Sequence, residues 1–358
     1  MTRNTLLELR APALIANARK ARQLAGRAAM FAMVKANAYG HGLSWAASAL
    51  RPEVDGFGVA LMEEAQALRE AGIKAPLLLV EGCFDQQELL AASAADIQLV
   101  VHSGWQIELL ERTRLPAVVT VWLKVDSGMH RLGLPVHQCA AAIARLRALP
   151  QVRLAGVMSH FACADMPQDT QSAQQLASLR RLADAHGLAF SAANSAGLYR
   201  YPDSHGALVR PGIMLYGGSP LLNQSAASLG LAVTQRLSAR LIAVNEVPAG
   251  DAVGYGATWR ASRPSRIGVV AIGYGDGYPR HAPNGTPVAV NGIRTGLAGR
   301  VSMDMLTVDV TDIPAAEPGD EVELWGDLVS VDEVAAACGT ISYELFCQVT
   351  PRVRRVVI

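Results

Sequence analysis

The sequence predicts an α/β protein with an N-terminal (β/α)8 barrel of the TIM type over residues 1–231 and a mostly β C-terminal domain over residues 232–358. Eight short apolar runs alternate with segments of helical periodicity over about 230 residues, which is close to the usual size of such a barrel. After residue 231 the pattern changes to short strands separated by glycine-containing turns. Because periodicity alone does not distinguish a closed barrel from a doubly wound open sheet, the open sheet is the competing arrangement.

The predicted barrel strands are short, β-rich apolar runs. They cover residues 31–35, 55–60, 76–81, 97–101, 118–125, 153–159, 189–194 and 208–213. Helical periodicity is clearest in three of the intervening segments, which begin near Leu14, Val136 and Ala173. Gly187, directly after the third segment, is typical of a helix C-cap.

In the C-terminal domain the sequence predicts strands at 237–244, 267–272, 288–290, 305–310 and 322–325, and helices at 331–337 and 342–348. Turn sequences such as Pro283-Asn284-Gly285 separate the strands. A loop that opens with Gly217-Gly218-Ser219-Pro220 marks the domain boundary near 218–232.

Composition narrows the class of protein. Of the 358 residues, 51% are apolar and 18% are charged, which indicates a globular chain. The formal net charge is +1 and the basic residues do not cluster, so we expect neither nucleic acid nor a membrane as a partner. No apolar run is long enough to span a bilayer, and residues 1–10 lack the pattern of an export signal. The five cysteines are widely spaced and odd in number, which predicts reduced thiols, no metal site and a cytoplasmic location.

Lys35 is the first candidate for chemistry. It follows the apolar run 31–34 and precedes a turn at Gly40-His41-Gly42. Lysine forms Schiff bases with carbonyl compounds as the neutral amine, the form that burial favours. A lysine at the end of a buried strand, beside a loop that can accept an anion, therefore suggests a pyridoxal phosphate (PLP) enzyme. The alternative is a lysine that extends past the strand end into water, and spacing alone does not decide between the two.

Further candidates follow the other predicted strands, and because barrel active sites lie at the carboxyl ends of strands, we expect them on one rim. They are Lys35 and Tyr39 after the first strand, Lys124, Asp126 and Arg131 at the fifth, His160 at the sixth, Asn194 and Ser195 at the seventh, and Arg210 at the eighth. Segments 195–197 and 211–213 offer hydroxyl and backbone N–H groups of the kind that bind phosphate. Each is a weak signal alone, since an ordinary strand–helix turn has a similar composition.

Eight segments together form a longer pattern. They are 34–42 (VKANAYGHG), 123–133 (LKVDSGMHRLG), 160–162 (HFA), 194–195 (NS), 210–213 (RPGI), 254–259 (GYGATW), 272–277 (IGYGDG) and 301–304 (VSMD). In this order they resemble the motifs of the alanine racemases, and 34–42 is similar to the PLP-attachment motif of that family. The resemblance covers essentially the whole chain. It implies an N-terminal barrel, a C-terminal β domain and a homodimer with two shared active sites.

The resemblance implies an isomerase that interconverts L-alanine and D-alanine with two bases. Lys35 would attach PLP and act as the base for the D-enantiomer, and Tyr255 of the partner subunit would act as the base for the L-enantiomer. A racemase needs acid and base on opposite faces of the α-carbon, because one group on one face returns the same enantiomer.

The resemblance also implies how cofactor and substrate are held. Arg210 would face the pyridine nitrogen with support from His160, and Arg131, with the backbone of Met303, would bind the substrate carboxylate. Lys124 lies where many relatives carry a carbamylated lysine that orients this arginine. The remaining implied residues are Tyr39, Asn194, Ser195, Gly212, Ile213 and Tyr343 around the cofactor, and Tyr274, Tyr343 and Asp304 as gate or supporting residues.

Other functions are compatible with parts of the pattern. A related basic amino-acid decarboxylase would lack the opposing tyrosine, and a periplasmic broad-specificity racemase would carry an export signal. A non-catalytic PLP-binding barrel would not need the second domain, and a protein without a cofactor would leave Lys35, His160 and Arg210 together without a purpose. The sequence leaves open whether the cell uses the activity for peptidoglycan or for alanine catabolism, and whether serine is also a substrate.

Overall fold

The computed structural model describes residues 3–166 and 168–358. Met1, Thr2 and Pro167 lie outside the described residues, and with them the first two residues of the segment searched for an export signal. The chain divides into two compact units. The first consists of Leu14–Leu215 and Pro220–Leu231, and the second of the chain up to Ala13, Tyr216–Ser219 and Ala232–Ile358.

The strands of the first unit form a parallel sheet. Numbered along the whole chain after β1 (Leu6–Leu9), which belongs to the second unit, they are β2 (Ala29–Met33), β3 (Gly56–Val59), β4 (Leu77–Leu79), β5 (Ile97–Val101), β6 (Val119–Asp126), β7 (Leu134–Pro135), β8 (Val152–Met158), β9 (Ala189–Ser191) and β10 (Leu208–Val209). They pair in the order β10-β2-β3-β4-β5-β6-β8-β9, with the short β7 against β6.

The sheet is nearly closed at its two ends. Ala207 N–H donates to Phe190 O and Arg210 N–H donates to Ala193 O, each at 2.9 Å, so that β10 and β9 are linked by backbone hydrogen bonds. Sequential order and near closure are the properties of a (β/α)8 barrel. The predicted barrel and its eight strands are therefore confirmed, and the open sheet is excluded.

Helices alternate with the barrel strands. They are α1 (Ala11–Ala25), α2 (Lys35–Tyr39, a short left-handed turn rather than a regular α-helix), α3 (Leu43–Leu50), α4 (Met62–Glu70), α5 (Gln86–Ala94), α6 (Gly104–Arg112), α7 (Val136–Ala148), α8 (Gln171–His186) and α9 (Ser195–Arg200). In α1 the residues whose spacing predicted a helix, Leu14 and Ala18 among them, are buried. Gly187 ends α8 with a φ of 59°, which confirms the predicted C-cap.

Side chains from six strands fill the interior of the barrel, so that it is a packed core rather than a pore. The buried cluster consists of Phe31, Leu78, Val100, Trp122, Met158 and Leu208. Functional side chains are therefore confined to the strand ends.

The second unit is mostly β, as predicted. Its further elements are β11 (Gln235–Val247), β12 (Ala252–Val253), β13 (Trp259–Arg260), β14 (Ser265–Val270), β15 (Pro287–Val290), β16 (Ile293–Gly296), β17 (Leu306–Asp309), β18 (Glu321–Trp325), α10 (Val331–Ala337), α11 (Ser342–Gln348) and β19 (Arg354–Val357). The long strand β11 is central, because it pairs antiparallel with β1, β14 and β18.

The first strand of the chain lies in this second sheet. β1 pairs antiparallel with β11 and parallel with β19, and its Leu7 and Leu9 are buried while Leu6 and Glu8 are partly exposed. The predicted barrel domain, residues 1–231, includes β1, but β1 lies in the sheet of the second unit. Its partner strands are distant in sequence. The boundary at 231/232 stays a prediction.

Among residues 3–166 and 168–358, we find no helix that combines the length and the apolar character needed to cross a membrane.

Candidate active site

The turn after β2 carries Lys35 at one end and Tyr39 at the other. Lys35 is half-buried, and all four residues from Ala36 to Tyr39 have φ between 51° and 54°. A left-handed backbone costs an L-residue about 1–2 kcal/mol, so four in succession store strain that the surroundings must offset. The sequence did not predict this conformation, since Asn37 is the one residue of the four that favours it.

The turn brings Tyr39 against the loop that follows β10, which is hydrogen-bonded to Ser195 after β9. The Ser195 hydroxyl accepts hydrogen bonds from Gly212 N–H at 2.8 Å and from Met214 N–H at 3.5 Å. A Cβ on Gly212 would overlap the Tyr39 hydroxyl and lie 3.1 Å from its Cζ, so only glycine permits this approach. Ile213 is fully buried beside it. Hydroxyl and backbone groups thus converge in a small cradle, here called the Gly212 cradle, formed by Tyr39, Ser195, Gly212 and Ile213.

Asn194 has a structural contact next to this cradle. Its Oδ1 accepts a hydrogen bond from Gly197 N–H at 2.9 Å and caps α9. The side chain therefore holds the strand–helix turn that presents Ser195.

Arg210 is a buried guanidinium, with 6% of its surface exposed. It donates to the Ser191 hydroxyl, to Ser159 O at 2.7 Å and to Ala192 O at 3.4 Å, and no carboxylate of the described residues forms an ion pair with it. Burial lowers the pKa of Arg210 to about 10. Ser159 and Ser191 were not predicted, although each lies at the end of a predicted strand, where a small polar side chain can support a neighbour.

Lys124 and its neighbours make the mouth of the barrel strongly cationic. Burial, followed by the positive charges of Arg210, Arg131 and Lys35, lowers the pKa of Lys124 to about 8, and Glu81 opposes this only in part. Like charges gathered at a strand end are costly unless an anion shares the space.

The same charges act on His160. Burial, then Arg210, then Lys124, lower its pKa well below the ordinary value, so the imidazole is neutral near pH 7. Gln175 Nε2 donates to the His160 carbonyl at 2.9 Å and fixes the backbone there. A neutral ring beside Arg210 adds no further positive charge to the cluster.

Arg131 is exposed on a loop wound around Asp126. The Asp126 carboxylate accepts N–H groups of Gly128 and His130, each at 3.0 Å, and the His130 ring at 2.9 Å. Burial raises the pKa of Asp126, but these hydrogen bonds together lower it by more than burial raises it, so the net shift is downward. His130 itself has a φ of 56°. The tight loop around Asp126 therefore turns the chain just before Arg131, at the mouth of the barrel.

Two predicted residues of the second unit, Tyr274 and Met303, lie on turns whose backbone is firmly held. Tyr274 N–H donates to Ser302 O at 3.0 Å and Gly275 N–H donates to Met303 O at 2.9 Å. The side chains remain accessible, because Tyr255 is 67%, Met303 54% and Tyr274 38% exposed. Tyr343 is partly buried in α11.

Asp276 anchors the turn that presents Tyr274. Its carboxylate is inaccessible to solvent, accepts Gly273 N–H at 2.9 Å, and forms ion pairs with Arg3 and with Arg352 Nε, the latter at 3.4 Å. Arg352 also donates to Asp304 at 2.6 Å. The supporting role that the resemblance implies for Asp304 stays a prediction. The contacts of Asp276 were missed because its arginine partners are distant in sequence.

Comparison with known proteins identifies the family. The model of the alanine racemase N-terminal domain matches residues 9–220, and that of the alanine racemase C-terminal domain matches residues 234–357. The chain belongs to the alanine racemase family. Both domains match, which favours this family over the decarboxylase alternative.

Individual alanine racemases resemble the chain over nearly its full length. The alanine racemase of Alcanivorax borkumensis is 58% identical over 356 residues, which cover 99% of this chain and 100% of that protein. The biosynthetic alanine racemase of Pseudomonas aeruginosa is 51% identical over 335 residues, or 94% of each chain. The crystal structure of biosynthetic alanine racemase from Pseudomonas aeruginosa superposes with a TM-score of 0.97 at 49% identity and covers both chains completely. The predicted fold class is thereby confirmed.

Proposed function

We propose that the protein interconverts L-alanine and D-alanine with PLP attached to Lys35, as a homodimer in which each active site uses Tyr255 of the partner subunit. The observation that carries this proposal is the Gly212 cradle. A lysine and a tyrosine lie at the two ends of one turn, and the tyrosine end meets Gly212. Around Lys124, the neighbouring positive charges outweigh the opposing charge of Glu81. A lysine, a phosphate cradle and an excess of positive charge fit an anionic aldehyde cofactor.

Different residues of the barrel unit would hold different parts of the cofactor. Lys35 Nζ would hold the aldehyde carbon, and the hydroxyls of Tyr39 and Ser195 with the backbone at Gly212 and Ile213 would hold the phosphate. Arg210 would donate a hydrogen bond to the pyridine nitrogen, since a guanidinium has no acceptor atom. When bound, PLP supplies an electron-accepting ring that stabilises the negative charge left on the α-carbon after its proton leaves. Tyr343 would complete the phosphate site.

Two groups would move the α-proton. Lys35 Nζ would exchange it on one face of the α-carbon, and the hydroxyl of the partner subunit's Tyr255 would exchange it on the other. Arg131, with the backbone of Met303, would bind the substrate carboxylate, and Tyr274 and Tyr343 would restrict the entrance to a small side chain. With a pKa of about 8, part of Lys124 is unprotonated near neutral pH, the form that can be carbamylated.

The exposure of the second-unit residues supports the homodimer. A tyrosine that serves as a base needs a site that excludes bulk water and holds positive charge near its phenolate, yet Tyr255 is 67% exposed within its own chain. A second copy that covers this face would supply that environment. The odd number of widely spaced cysteines favours the cytoplasm as the compartment. The activity would supply D-alanine for peptidoglycan or serve alanine catabolism.

Racemisation in deuterated water tests the proposal. The wild type should lose the optical activity of L-alanine and introduce α-deuterium, whereas Tyr255→Phe should lower the rate by roughly 10²–10⁴-fold. Tyr199→Phe is a matched control, because the Tyr199 hydroxyl donates to Leu229 O at 3.2 Å away from the proposed machinery. A wild type without racemisation would disprove the function, and an unimpaired Tyr255→Phe would disprove the second base.

A further inference from the structure

The left-handed turn after Lys35 requires a source of stability. Four L-residues in succession, Ala36 to Tyr39, have φ between 51° and 54°, and none of them is glycine. Such a turn relaxes unless its backbone groups are held by contacts that the relaxed form would lose. Lys35 and Tyr39 are the two ends of this turn, so relaxation would change the distance between the amine and the hydroxyl.

Backbone hydrogen bonds within the segment hold part of the turn, such as Ala38 N–H to Val34 O at 2.8 Å. Glu64 makes a contact of this kind from another loop. Its Oε1 accepts a hydrogen bond from Ala36 N–H at 2.6 Å, the first amide after Lys35. Its Oε2 accepts from Ala60 N–H at 3.0 Å and from Leu61 N–H at 3.3 Å, at the beginning of α4. One carboxylate therefore joins the strained turn after β2 to the loop after β3, and hydrogen bonds to a charged acceptor are the stronger kind.

Glu88 is a glutamate at the equivalent helix position that caps its own helix without making such a bridge. Glu64 and Glu88 are each the third residue of a helix, α4 and α5, and both are half-buried. Glu88 Oε2 accepts Phe84 N–H at 2.7 Å, which is a helix-start contact within its own loop. Capping alone thus needs only one oxygen, and the second oxygen of Glu64 is used on the turn of Lys35.

We propose that Glu64 is a positioning residue that holds the left-handed turn and thereby keeps Lys35 Nζ and the Tyr39 hydroxyl at the spacing that one PLP molecule requires. This inference rests on the proposed function, because it assigns both ends of the turn to the same cofactor. Glu64 acts through the Ala36 amide and does not touch the cofactor itself.

The test is PLP binding to the full-length protein after its cofactor has been removed. Glu64→Ala and the isosteric Glu64→Gln should weaken PLP binding, followed by fluorescence titration, by about 10–100-fold. Borohydride reduction and peptide mass spectrometry should show a correspondingly smaller fraction of chains with a pyridoxyl group on Lys35. Glu88→Ala also removes a helix-start contact, so it should lower the thermal midpoint, though by no more than Glu64→Ala, and bind PLP within about twofold of the wild type.

A glycine at position 36 separates positioning from capping. Glycine adopts positive φ without the penalty of a Cβ, so Ala36→Gly in the Glu64→Ala background should restore about three- to tenfold of the lost affinity. Loss of a helix cap would not respond to this change. If Glu64→Ala does not fold, the rescue by Ala36→Gly is measured in the isosteric Glu64→Gln background instead.

Two results would overturn the inference alone: wild-type PLP binding in both Glu64 variants, or equal losses in the Glu64 and Glu88 variants with no rescue by Ala36→Gly. Absence of a pyridoxyl group on Lys35 in the wild type would instead overturn the proposed function, and this inference with it.

Discussion

The site residues of the barrel unit and those of the second unit are presented in opposite ways. In the barrel unit, Arg210 is enclosed at the strand ends and burial lowers its pKa, while burial and neighbouring positive charges lower the pKa of His160. In the second unit, Tyr274 and Met303 lie on turns with a fixed backbone, and their side chains and that of Tyr255 are accessible. The barrel unit therefore makes its own chemical environment, whereas the second unit offers side chains whose environment must come from a covering surface. This is the arrangement expected when a site is shared between subunits.

The largest effect should come from filling the Gly212 cradle. Gly212→Ala places a Cβ on the Tyr39 hydroxyl, so we expect PLP binding to weaken by about 10²-fold or more, measured by titration of the cofactor-free protein. Gly104→Ala is the control, because its Cβ would meet nothing within 4 Å. Equal affinity in the two variants would show that the barrel unit does not contain a preformed cradle.

The next effect tests the fixed backbone of the second unit. Asp276→Asn should lower the free energy of unfolding by about 1–3 kcal/mol, because a buried acceptor loses its charge beside Arg3 and Arg352. Asp312→Asn removes an exposed ion pair with Arg263 and should leave the urea midpoint unchanged. If both variants unfold at the wild-type midpoint, the Tyr274 turn is not held in the way described.

The smallest effect concerns desolvation in the barrel unit. Since burial lowers the pKa of Lys124 from 10.5 to about 8, the unfolded chain binds more protons than the folded chain between these values. The free energy of unfolding should therefore rise with pH across this window, and the cost of the buried charge is fully present below it.

Lys124→Met should remove this contribution and stabilise the cofactor-free protein near pH 7 by on the order of 1 kcal/mol. Urea unfolding near pH 7 and above pH 9 measures the difference, and Lys74→Met, at an exposed lysine, is the control. If the free energy of unfolding of Lys124→Met rises with pH as much as that of the wild type, the account of a buried charge at this position is contradicted.

Local patterns in the sequence predicted the elements, and long-range contacts account for what it missed. The eight barrel strands follow from short apolar runs, and the strand-end rule placed Lys124, His160 and Arg210 on one rim. The pairing of β1 with β11 was not predictable from a local pattern, since the two are more than two hundred residues apart. The left-handed turn was also missed, because the Glu64 contact that accompanies it comes from another loop.

The central claim is that one active site needs residues from two chains, and subunit complementation tests it directly. The Lys35→Ala chain and the Tyr255→Phe chain each lack a different catalytic group, and each carries a different affinity tag. In a mixed dimer, one site combines the intact Lys35 of one chain with the partner subunit's Tyr255, so an equal, random mixture should regain about one quarter of wild-type alanine racemisation. Activity no higher than the average of the two parent variants would contradict the shared site.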